Sequence, residues 1–266
     1  MKSHVEIEFE NITDLSELNS PSSTSPRLSE SRSQMISIVS PTYNERENIG
    51  LLIKRISKVM SDFEYEIIVV DDNSRDGTEE IVKKLAELYP VRILVRNEKL
   101  GLASAIMNGF KHAKGHIVGV IDADLQHPPE CLLEFIKAIR KDSCDIVIGS
   151  RYVDGGATEC WSRKRLLVSK LAVLLATPLA RGVQDPMSGF FFLKRRVIEG
   201  VSLNPTGYKL GLEILVKGNY VKAKEIPYTF QRRKNGESKL DKREILSYLR
   251  LLRDLYMFKL KNSAEK

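Results

Sequence analysis

Two aspartates separated by one alanine, Asp122 and Asp124, follow an apolar stretch in the segment VIDADLQHPPE (120–130). If the chain is extended here, their side chains point the same way about 6.6 Å apart, since a strand rises about 3.3 Å per residue. At an effective dielectric constant near 20, two negative charges at that distance repel by about 2.5 kcal/mol. Such a pair needs a cation, a proton on one acid, or open water, and the two residues alone leave all three interpretations open.

The residues before the pair favour a cation. The stretch IVGVI (117–121) is apolar, and it would partly bury both acids at the end of a strand. Carboxylate oxygens are hard ligands that suit Mg²⁺ or Mn²⁺, whose remaining positions are taken by water and a substrate phosphate. Asp122 and Asp124 are therefore candidate ligands of Mg²⁺ or Mn²⁺.

The elements that must position this pair are short apolar runs that alternate with helical segments from Met35 onward. Strands are predicted over residues 36–40, 65–72, 91–96, 116–122 and 145–151, and helices over 45–60, 76–89, 101–113 and 128–141. This alternation predicts an α/β fold with a mainly parallel sheet flanked by helices, in which ligands bind at the carboxyl ends of the strands. Four polar clusters end strands and should meet at one rim: PTYNE, DDNSRDGT, DADLQH and GSRY.

Several acids in these clusters also have simpler structural explanations. Glu45 fits the first turn of a helix, where it would offset the helix dipole, and Asp76 fits a helix N-cap. Asp71 and Asp72 could belong to a turn, or could bind ribose hydroxyls or a base edge. The sequence contains no GxGxxG and no GxxxxGK[ST], so neither the dinucleotide fingerprint nor the phosphate-binding P-loop is supported.

Composition narrows the class of protein. The 266 residues carry a net charge of +7, and residues 35–266 hold 39 basic against 29 acidic residues. The basic segment 231–243 contains no aromatic residue, which argues against nucleic acid as a partner. The three cysteines form neither a zinc motif nor a disulfide framework, which favours a reducing, cytosolic setting. No signal peptide and no apolar run long enough to span a bilayer occurs.

The chain divides into three parts by composition. Residues 1–34 are rich in Ser and Pro and are predicted to be a disordered leader. Residues 35–240 form the α/β domain, with a helix from about 164 and further strands in 188–196 and 221–233. Residues 241–266 are predicted to be an amphipathic helix and tail, with one apolar stripe made of Ile245, Leu249, Leu252 and Tyr256.

The ordered series of motifs resembles a known family. PTYNE, VVDDNSRDGT, LGLASAIMNGFKHAKG, DADLQHPPE, GSRY, DPMSGFF and RKNGESKL occur in that order. This series is similar to family 2 glycosyltransferases with the GT-A fold, and within them it looks most like the dolichol-phosphate (polyprenol-phosphate) mannose synthases. The resemblance covers about residues 35–240, and it implies that this main part of the chain is a glycosyltransferase catalytic domain.

The resemblance implies a role for each residue that matches a family motif. Residues implied to contact the donor nucleotide are Pro41, Tyr43, Glu45, Val70, Asp72 and Ala123, with Asp71 nearby. Those implied to bind Mg²⁺ or Mn²⁺ are Asp122, Asp124 and Gln126. Those implied to contact diphosphate or acceptor phosphate are Arg151, Arg165, Arg233 and Lys239. Asp124, Arg151, Arg233 and Lys239 are the implied catalytic residues, and Ser188 and Gly189 fall near the acceptor site.

The implied reaction is transfer of mannose from GDP-mannose to dolichyl or polyprenyl phosphate, which gives dolichyl phosphate mannose for glycosylation. A lipid phosphate is already anionic near neutral pH, so the expected mechanism is in-line displacement with inversion and without a dedicated general base. The closest alternative uses UDP-glucose and makes polyprenyl-phosphate glucose. Sequence spacing does not decide between the two sugars, although GESKL and DADLQHPPE favour mannose.

The resemblance also implies a membrane location. Some family members carry transmembrane helices and others rely on partner subunits. For this sequence we expect peripheral attachment to the cytosolic face of a membrane, through amphipathic helices over 164–178 and 242–260, with an anchoring subunit as a further candidate partner. The alternative for both helices is ordinary core packing.

Overall fold

The computed structural model of the chain describes residues 34–141, 144–159, 161–203, 209–232 and 242–264. Within these ranges the predicted leader contributes only Gln34, so the expectation for residues 1–33 lies outside the described part, as does the predicted boundary at 240. Seven strands build the main sheet: β1 (Ile36–Thr42), β2 (Tyr65–Asp71), β3 (Val91–Val95), β4 (Ile117–Val120), β5 (Ile146–Ser150), β7 (Phe191–Lys194) and β8 (Ala223–Pro227).

The main sheet is mostly parallel, as the sequence predicts. Its strand order is β3-β2-β1-β4-β7-β5-β8, and β7 alone among these strands runs antiparallel to its neighbours β4 and β5. Since β1, β2, β4 and β5 run in the same direction, their carboxyl ends share one edge, which we call the rim. The predicted clustering of four polar segments at this rim is therefore confirmed at the level of the fold.

Helices cover both faces of the sheet. The described helices are α1 (Arg46–Val59), α2 (Thr78–Leu85), α3 (Leu102–His112), α4 (Leu132–Lys141), α5 (Arg163–Ala176), α6 (Leu210–Lys217) and α7 (Lys242–Ala264). Side chains of α1, α2 and α4 share one apolar core with the sheet, and those of α3 and α6 share the core on its other face. In α1 the buried residues Ile49, Leu52, Ile53 and Ile56 recur at helical spacing and so face the sheet together.

One glycine shows how closely a helix approaches the sheet. A Cβ placed on Gly109 of α3 would lie 2.4 Å from a methyl carbon of Val39 in β1. No real Cβ packs at that distance, so any larger residue would push α3 off the sheet. Because α3 follows the loop after β3, its position also fixes that side of the rim.

A third apolar cluster joins α5 to α7. Tyr248 of α7 donates a hydrogen bond to the carbonyl of Ala172 (2.5 Å), and Tyr256 donates one to the carbonyl of Leu175 (2.9 Å). The buried side chains beneath them include Leu251, Leu252 and Leu255. The two helices therefore form one unit against α6, although their sequences lie about 80 residues apart.

Most of the apolar stripe predicted for the C-terminal helix lies on the exposed side of that helix. Leu252 is buried, but Ile245, Leu249 and Tyr256 are 48, 48 and 37% exposed. The tertiary contact selects the neighbouring Leu251 and Leu255 for the core, so α7 has apolar residues both on its packed face and on its open face. No described helix combines the length and the apolar character needed to cross a membrane.

A two-stranded sheet lies beside the main one. Its strands β6 (Ala157–Thr158) and β9 (Thr229–Phe230) pair in parallel. This pairing links the loop after β5 to the segment after β8, which leads toward residues 233–240.

Candidate active site

The two aspartates lie in a turn rather than in a strand. Strand β4 ends at Val120, two residues before Asp122, and Leu125 adopts a left-handed backbone conformation with φ +63°. The amide of Gln126 donates a hydrogen bond to Oδ1 of Asp124 (3.1 Å). The extended geometry considered for Asp122 and Asp124 therefore does not occur. The DADLQ segment instead forms a turn at the rim, directly after the carboxyl end of β4.

His127 supports this turn from below. Its Nδ1 accepts a hydrogen bond from the amide of Asp122 (3.3 Å) and lies 3.6 Å from the Asp122 carboxylate, while its ring stacks on Phe190 at 4.9 Å between ring centroids. Burial lowers the pKa of His127 to about 4, so the ring is neutral near pH 7 and can accept that hydrogen bond. The sequence showed no sign of this role, because the aromatic partners come from distant strands.

Gln126 connects the turn to the other end of the chain. Its side-chain Nε2 donates to the carbonyl of Gln231 (2.9 Å), and the amide of Gln231 donates to the carbonyl of Gln126 (3.1 Å). The amide side chain is thereby oriented, and Oε1 is the atom that could bind a metal. The predicted phosphate contacts Arg233 and Lys239 follow this junction in sequence but lie outside the described residues.

Arg151 at the end of β5 is held by a buried carboxylate. Its guanidinium makes two hydrogen bonds of 2.7 Å to Asp185, and its backbone amide donates a third of 3.0 Å. Asp185 is fully buried, and the Arg151 side chain is 8% exposed. Burial by itself would lower the pKa of Arg151, but the bonds and charge of Asp185 raise it above its ordinary value. Arg151 is thus a fixed cation whose charge is matched within the fold.

Arg165 lies beside Arg151 at the start of α5. Its guanidinium carbon is 4.4 Å from the centroid of the Trp161 ring, and that of Arg151 is 5.3 Å from the same ring. Burial and the charge of Arg151 lower the pKa of Arg165, while Asp124 raises it. The structure therefore brings two of the predicted phosphate contacts to the side of the rim that carries Asp124.

The other side of the rim is formed by the ends of β1 and β2. Asp72 is buried, and its carboxylate accepts hydrogen bonds from the amides of Leu100 (3.3 Å) and Gly101 (2.8 Å) and pairs with Arg96. Asp72 therefore anchors the loop between β3 and α3. The sequence predicted a contact with a base or ribose for Asp72 but not this structural role. The neighbouring Asp71 is also buried, which raises the pKa of its carboxyl, and it accepts two bonds from Ser74.

The remaining predicted nucleotide contacts line the same side. Pro41 lies in β1 in register with Val70 in β2. Tyr43 is 43% exposed, and the ammonium of Lys99 lies 3.6 Å from the centroid of its ring. Glu45 precedes α1 and accepts a hydrogen bond from the side chain of Asn48 (2.7 Å). The rim therefore carries a partly exposed aromatic ring, that of Tyr43.

Three other predicted residues pack against the DAD turn or next to it. Ala123 is buried within the turn, and Ser188 is buried with its hydroxyl bonded to the amide of Phe190 (3.3 Å). A Cβ placed on Gly189 would be 3.8 Å from Oδ2 of Asp122, so this glycine borders the acid directly. Within the described ranges no cluster of three His, Cys, Asp or Glu side chains occurs, so the oxygen donors near the turn are two carboxylates and one amide.

The fold and this arrangement of acids and arginines define the class, and sequence comparison agrees. Residues 37–201 match the family described as Glycosyl transferase family 2, and the chain belongs to that family. The predicted resemblance is thereby confirmed.

Curated relatives carry one shared name. The chain is 50% identical over 218 residues to "Dolichol-phosphate mannosyltransferase" of Pyrococcus furiosus, with 81% of this chain and 62% of that protein aligned. It is 40% identical over 236 residues to "Dolichol-phosphate mannosyltransferase" of Saccharomyces cerevisiae, with 84% of this chain and 87% of that protein aligned. The chain thus spans less than two thirds of the archaeal relative but most of the yeast one.

Solved structures confirm the fold. A complex of glucosyl-3-phosphoglycerate synthase from Mycobacterium tuberculosis with Mn²⁺, uridine diphosphate and glucosyl-3-phosphoglycerate superposes with a TM-score of 0.63 at 20% identity, covering 91% of this chain and 85% of that one. Mannosyl-3-phosphoglycerate synthase from Rubrobacter xylanophilus gives a TM-score of 0.61 at 20% identity, covering 88% and 76%. At these identities the likeness concerns the fold alone.

Proposed function

We propose that the chain transfers mannose from GDP-mannose to the phosphate of a dolichyl or polyprenyl phosphate. The observation that carries this proposal is the DAD turn at the rim, next to Arg151 and Arg165, in a chain 40–50% identical to proteins named for that reaction. Those names favour mannose over the UDP-glucose alternative. The α/β domain of residues 35–240 would carry the catalysis.

The oxygen donors of the turn fit a divalent metal. Asp122 has a side chain that is 30% exposed and beside the rim opening, Asp124 lies two residues away, and Oε1 of Gln126 is oriented by the bond to Gln231. We propose that these three residues hold Mg²⁺ or Mn²⁺, which suits hard oxygen ligands. A bound metal would offset the negative charge that develops on the diphosphate leaving group. The Mn²⁺ in the mycobacterial complex supports this assignment in general terms.

We propose that residues on one side of the rim bind the donor nucleotide and that residues on the other side bind the phosphates. Pro41, Tyr43, Glu45, Val70, Asp72 and Ala123 would form the nucleotide side. Arg165, together with Arg233 and Lys239, would supply positive charge to the phosphates, because an arginine fork and a flexible lysine both suit phosphate oxygens. Arg151 would contribute mainly by fixing the site, since Asp185 already occupies its guanidinium.

The chemistry would need placement more than proton transfer. The acceptor phosphate is anionic near neutral pH and can attack the anomeric carbon without a general base, which gives inversion. The one histidine that contacts the turn, His127, is buried and its pKa is lowered to about 4 by that burial, which fits a supporting role.

We also propose that α5 and α7 place this site at a membrane surface. Both helices expose apolar side chains on the same part of the molecule: Leu167, Val168, Leu171, Leu174 and Leu175 in α5, and Ile245, Leu246, Leu249, Met257 and Leu260 in α7. The first turn of helix α5 contains Arg163, Lys164 and Arg165, so a phosphate head group could bind there while the lipid chain follows the exposed leucines. Basic residues near anionic lipid each contribute about 1 kcal/mol.

Two assays test these proposals. Labelled GDP-mannose and labelled UDP-glucose are each incubated with a short polyprenyl phosphate and Mn²⁺. We expect a lipid-linked product from GDP-mannose, and a product from UDP-glucose alone would replace the proposal by the glucose alternative.

Flotation with anionic liposomes tests the proposed membrane contact, and we expect the liposomes to carry the protein upward. Flotation that occurs only after a second protein is added would instead indicate an anchoring subunit on the cytosolic face.

A further inference from the structure

Trp161 contacts both described arginines of the site. It directly precedes Ser162, the N-cap of α5, and its ring lies 4.4 Å from the guanidinium carbon of Arg165 and 5.3 Å from that of Arg151. Its ring also meets Phe230 edge to face, with ring centroids 5.4 Å apart. It is the single tryptophan of the chain. None of the motifs assigned a role to it.

The two guanidinium groups on this ring are in different situations. Arg151 is fixed by its two bonds to the buried Asp185. For Arg165, no ion pair is found among the described residues, and its backbone amide is the group that bonds to Ser162. Tryptophan is the aromatic side chain that attracts a cation most strongly. The indole ring is therefore the main described contact that fixes the direction of the Arg165 guanidinium.

Two further features make an anion the natural partner of this corner. The first turn of α5 contains Arg163, Lys164 and Arg165 and no acidic residue. Positive side chains at the positive end of a helix are unfavourable unless an anion offsets them. The indole nitrogen of Trp161 is also buried and makes no hydrogen bond to the described residues, which leaves a donor next to Arg165.

We propose that Trp161 is a positioning residue that holds the guanidinium of Arg165 toward a phosphate oxygen of a substrate. The assignment of that phosphate to a substrate rests on the proposed function. The phosphate belongs either to the lipid acceptor or to the diphosphate of the donor, which present the same chemistry to a guanidinium. The opposing explanation is that Trp161 only packs against Phe230 and separates two like charges.

A double-mutant cycle separates these explanations. The dissociation constants of GDP and of a short-chain prenyl phosphate are measured separately by calorimetry, with Mn²⁺ present, for wild type, Trp161→Leu, Arg165→Ala and the double variant. We expect Trp161→Leu to weaken one of the two ligands about 5-fold, the size of an exposed cation–π contact. In the Arg165→Ala background the same change should have no further effect. The ligand that weakens identifies the source of the phosphate.

Matched variants control for folding and for general charge. Trp161→Phe keeps a ring under Arg165 and should retain most of the affinity. If Trp161→Leu fails to fold, Trp161→Met, which also lacks a ring, takes its place in the cycle. Arg163→Ala removes an exposed cation from the same turn and should change the affinity less than Arg165→Ala. In wild type the fluorescence of the lone tryptophan should change when the same ligand binds.

Two results of the mutant cycle would overturn the proposal, and a third concerns the wild type. One is an unchanged affinity for both ligands in Trp161→Leu, and the other is an equal loss in the presence and absence of Arg165. A wild-type protein that binds neither ligand would also refute it. A wild type that binds a ligand and shows the coupling but transfers no mannose would instead refute the proposed function and leave the positioning role intact.

Discussion

The two sides of the rim are built in different ways. On the nucleotide side, Asp71 is held by Ser74 three residues later, and Asp72 by the amides of Leu100 and Gly101 in an adjacent loop. On the other side, where we propose that the phosphates bind, Gln126 bonds to Gln231, 105 residues away, and Arg151 bonds to Asp185. The first side depends on backbone amides of nearby loops and on the ion pair of Asp72 with Arg96. The second depends on side chains that reach it only after the whole sheet has formed.

This difference predicts where substitutions will damage the fold. A turn stabilised by backbone amides tolerates the loss of one exposed side chain, because its remaining bonds are unchanged. A buried ion pair does not, because removal of one partner leaves the other charge buried and uncompensated.

The largest effect on stability is expected from Asp185→Ala. This change strands the Arg151 guanidinium in a buried environment, and we expect a loss of about 3–5 kcal/mol in the free energy of unfolding. Urea denaturation followed by circular dichroism measures it. The double variant Arg151→Met/Asp185→Ala should recover part of the loss, because it removes the buried charge. A single variant as stable as wild type would contradict the structural role assigned to this pair.

A smaller and pH-dependent effect is expected at Asp145, at the opposite edge of the sheet from the rim. Burial alone would raise its pKa, but the amides of Val221 and Lys222 and the Arg196 guanidinium lower the pKa to about 2. Because the folded pKa is lower than the unfolded one, this stabilisation is complete above about pH 4. It is lost as the pH falls toward 2 and amounts to about 2 kcal/mol.

The comparison of wild type with Asp145→Asn isolates this contribution. Between pH 5 and pH 2 the free energy of unfolding of wild type should fall by about 2 kcal/mol more than that of the variant. Parallel curves for the two proteins would show that Asp145 contributes no such linkage. The difference between the two curves therefore measures how much a buried carboxylate away from the rim stabilises the fold.

The smallest effect is expected on the nucleotide side, from Lys99→Ala. Lys99 lies over the exposed ring of Tyr43, and such a contact contributes about 0.5–1 kcal/mol. If Tyr43 lines the nucleotide, KM for GDP-mannose should rise about 2- to 5-fold, while KM for the lipid phosphate and the stability stay unchanged. Lys99→Arg, which keeps the cation, is the matched control. A change confined to the KM for the lipid phosphate would contradict the placement of Lys99 and Tyr43 beside the donor nucleotide.

The same contrast explains what the sequence could predict. The parallel sheet and its rim follow from local patterns, since each strand is a short apolar run that ends in polar residues. The antiparallel direction of β7, the short helix α6 and the two-residue strand β6 have no such pattern, and the region predicted as strand over 221–233 divides into β8 and β9. The turn at Asp122 was also hidden, because its left-handed residue is Leu125 rather than a glycine.

The residues that sequence reasoning missed all act through distant partners. His127 is adjacent to the DAD motif, yet its stacking partner Phe190 comes from the segment before β7. A role for Trp161 is visible only in the folded chain, where Arg151 and Arg165 both contact its ring. The family itself was recognised correctly because its motifs are local. The roles of the individual site residues remain predictions.

The metal dependence of mannosyl transfer is the measurement that tests the proposed metal site most directly. Wild type, Asp122→Asn and the control Glu130→Gln, an exposed acid of the same loop, are assayed with GDP-mannose and a short polyprenyl phosphate, with and without EDTA. We expect EDTA to lower wild-type and control turnover by about 10²-fold or more, and added Mn²⁺ or Mg²⁺ to restore it. Asp122→Asn should stay inactive under all conditions while retaining the thermal midpoint of wild type. Full turnover in excess chelator, or in Asp122→Asn, would contradict the assignment of the DAD turn as the metal site of a mannosyltransferase.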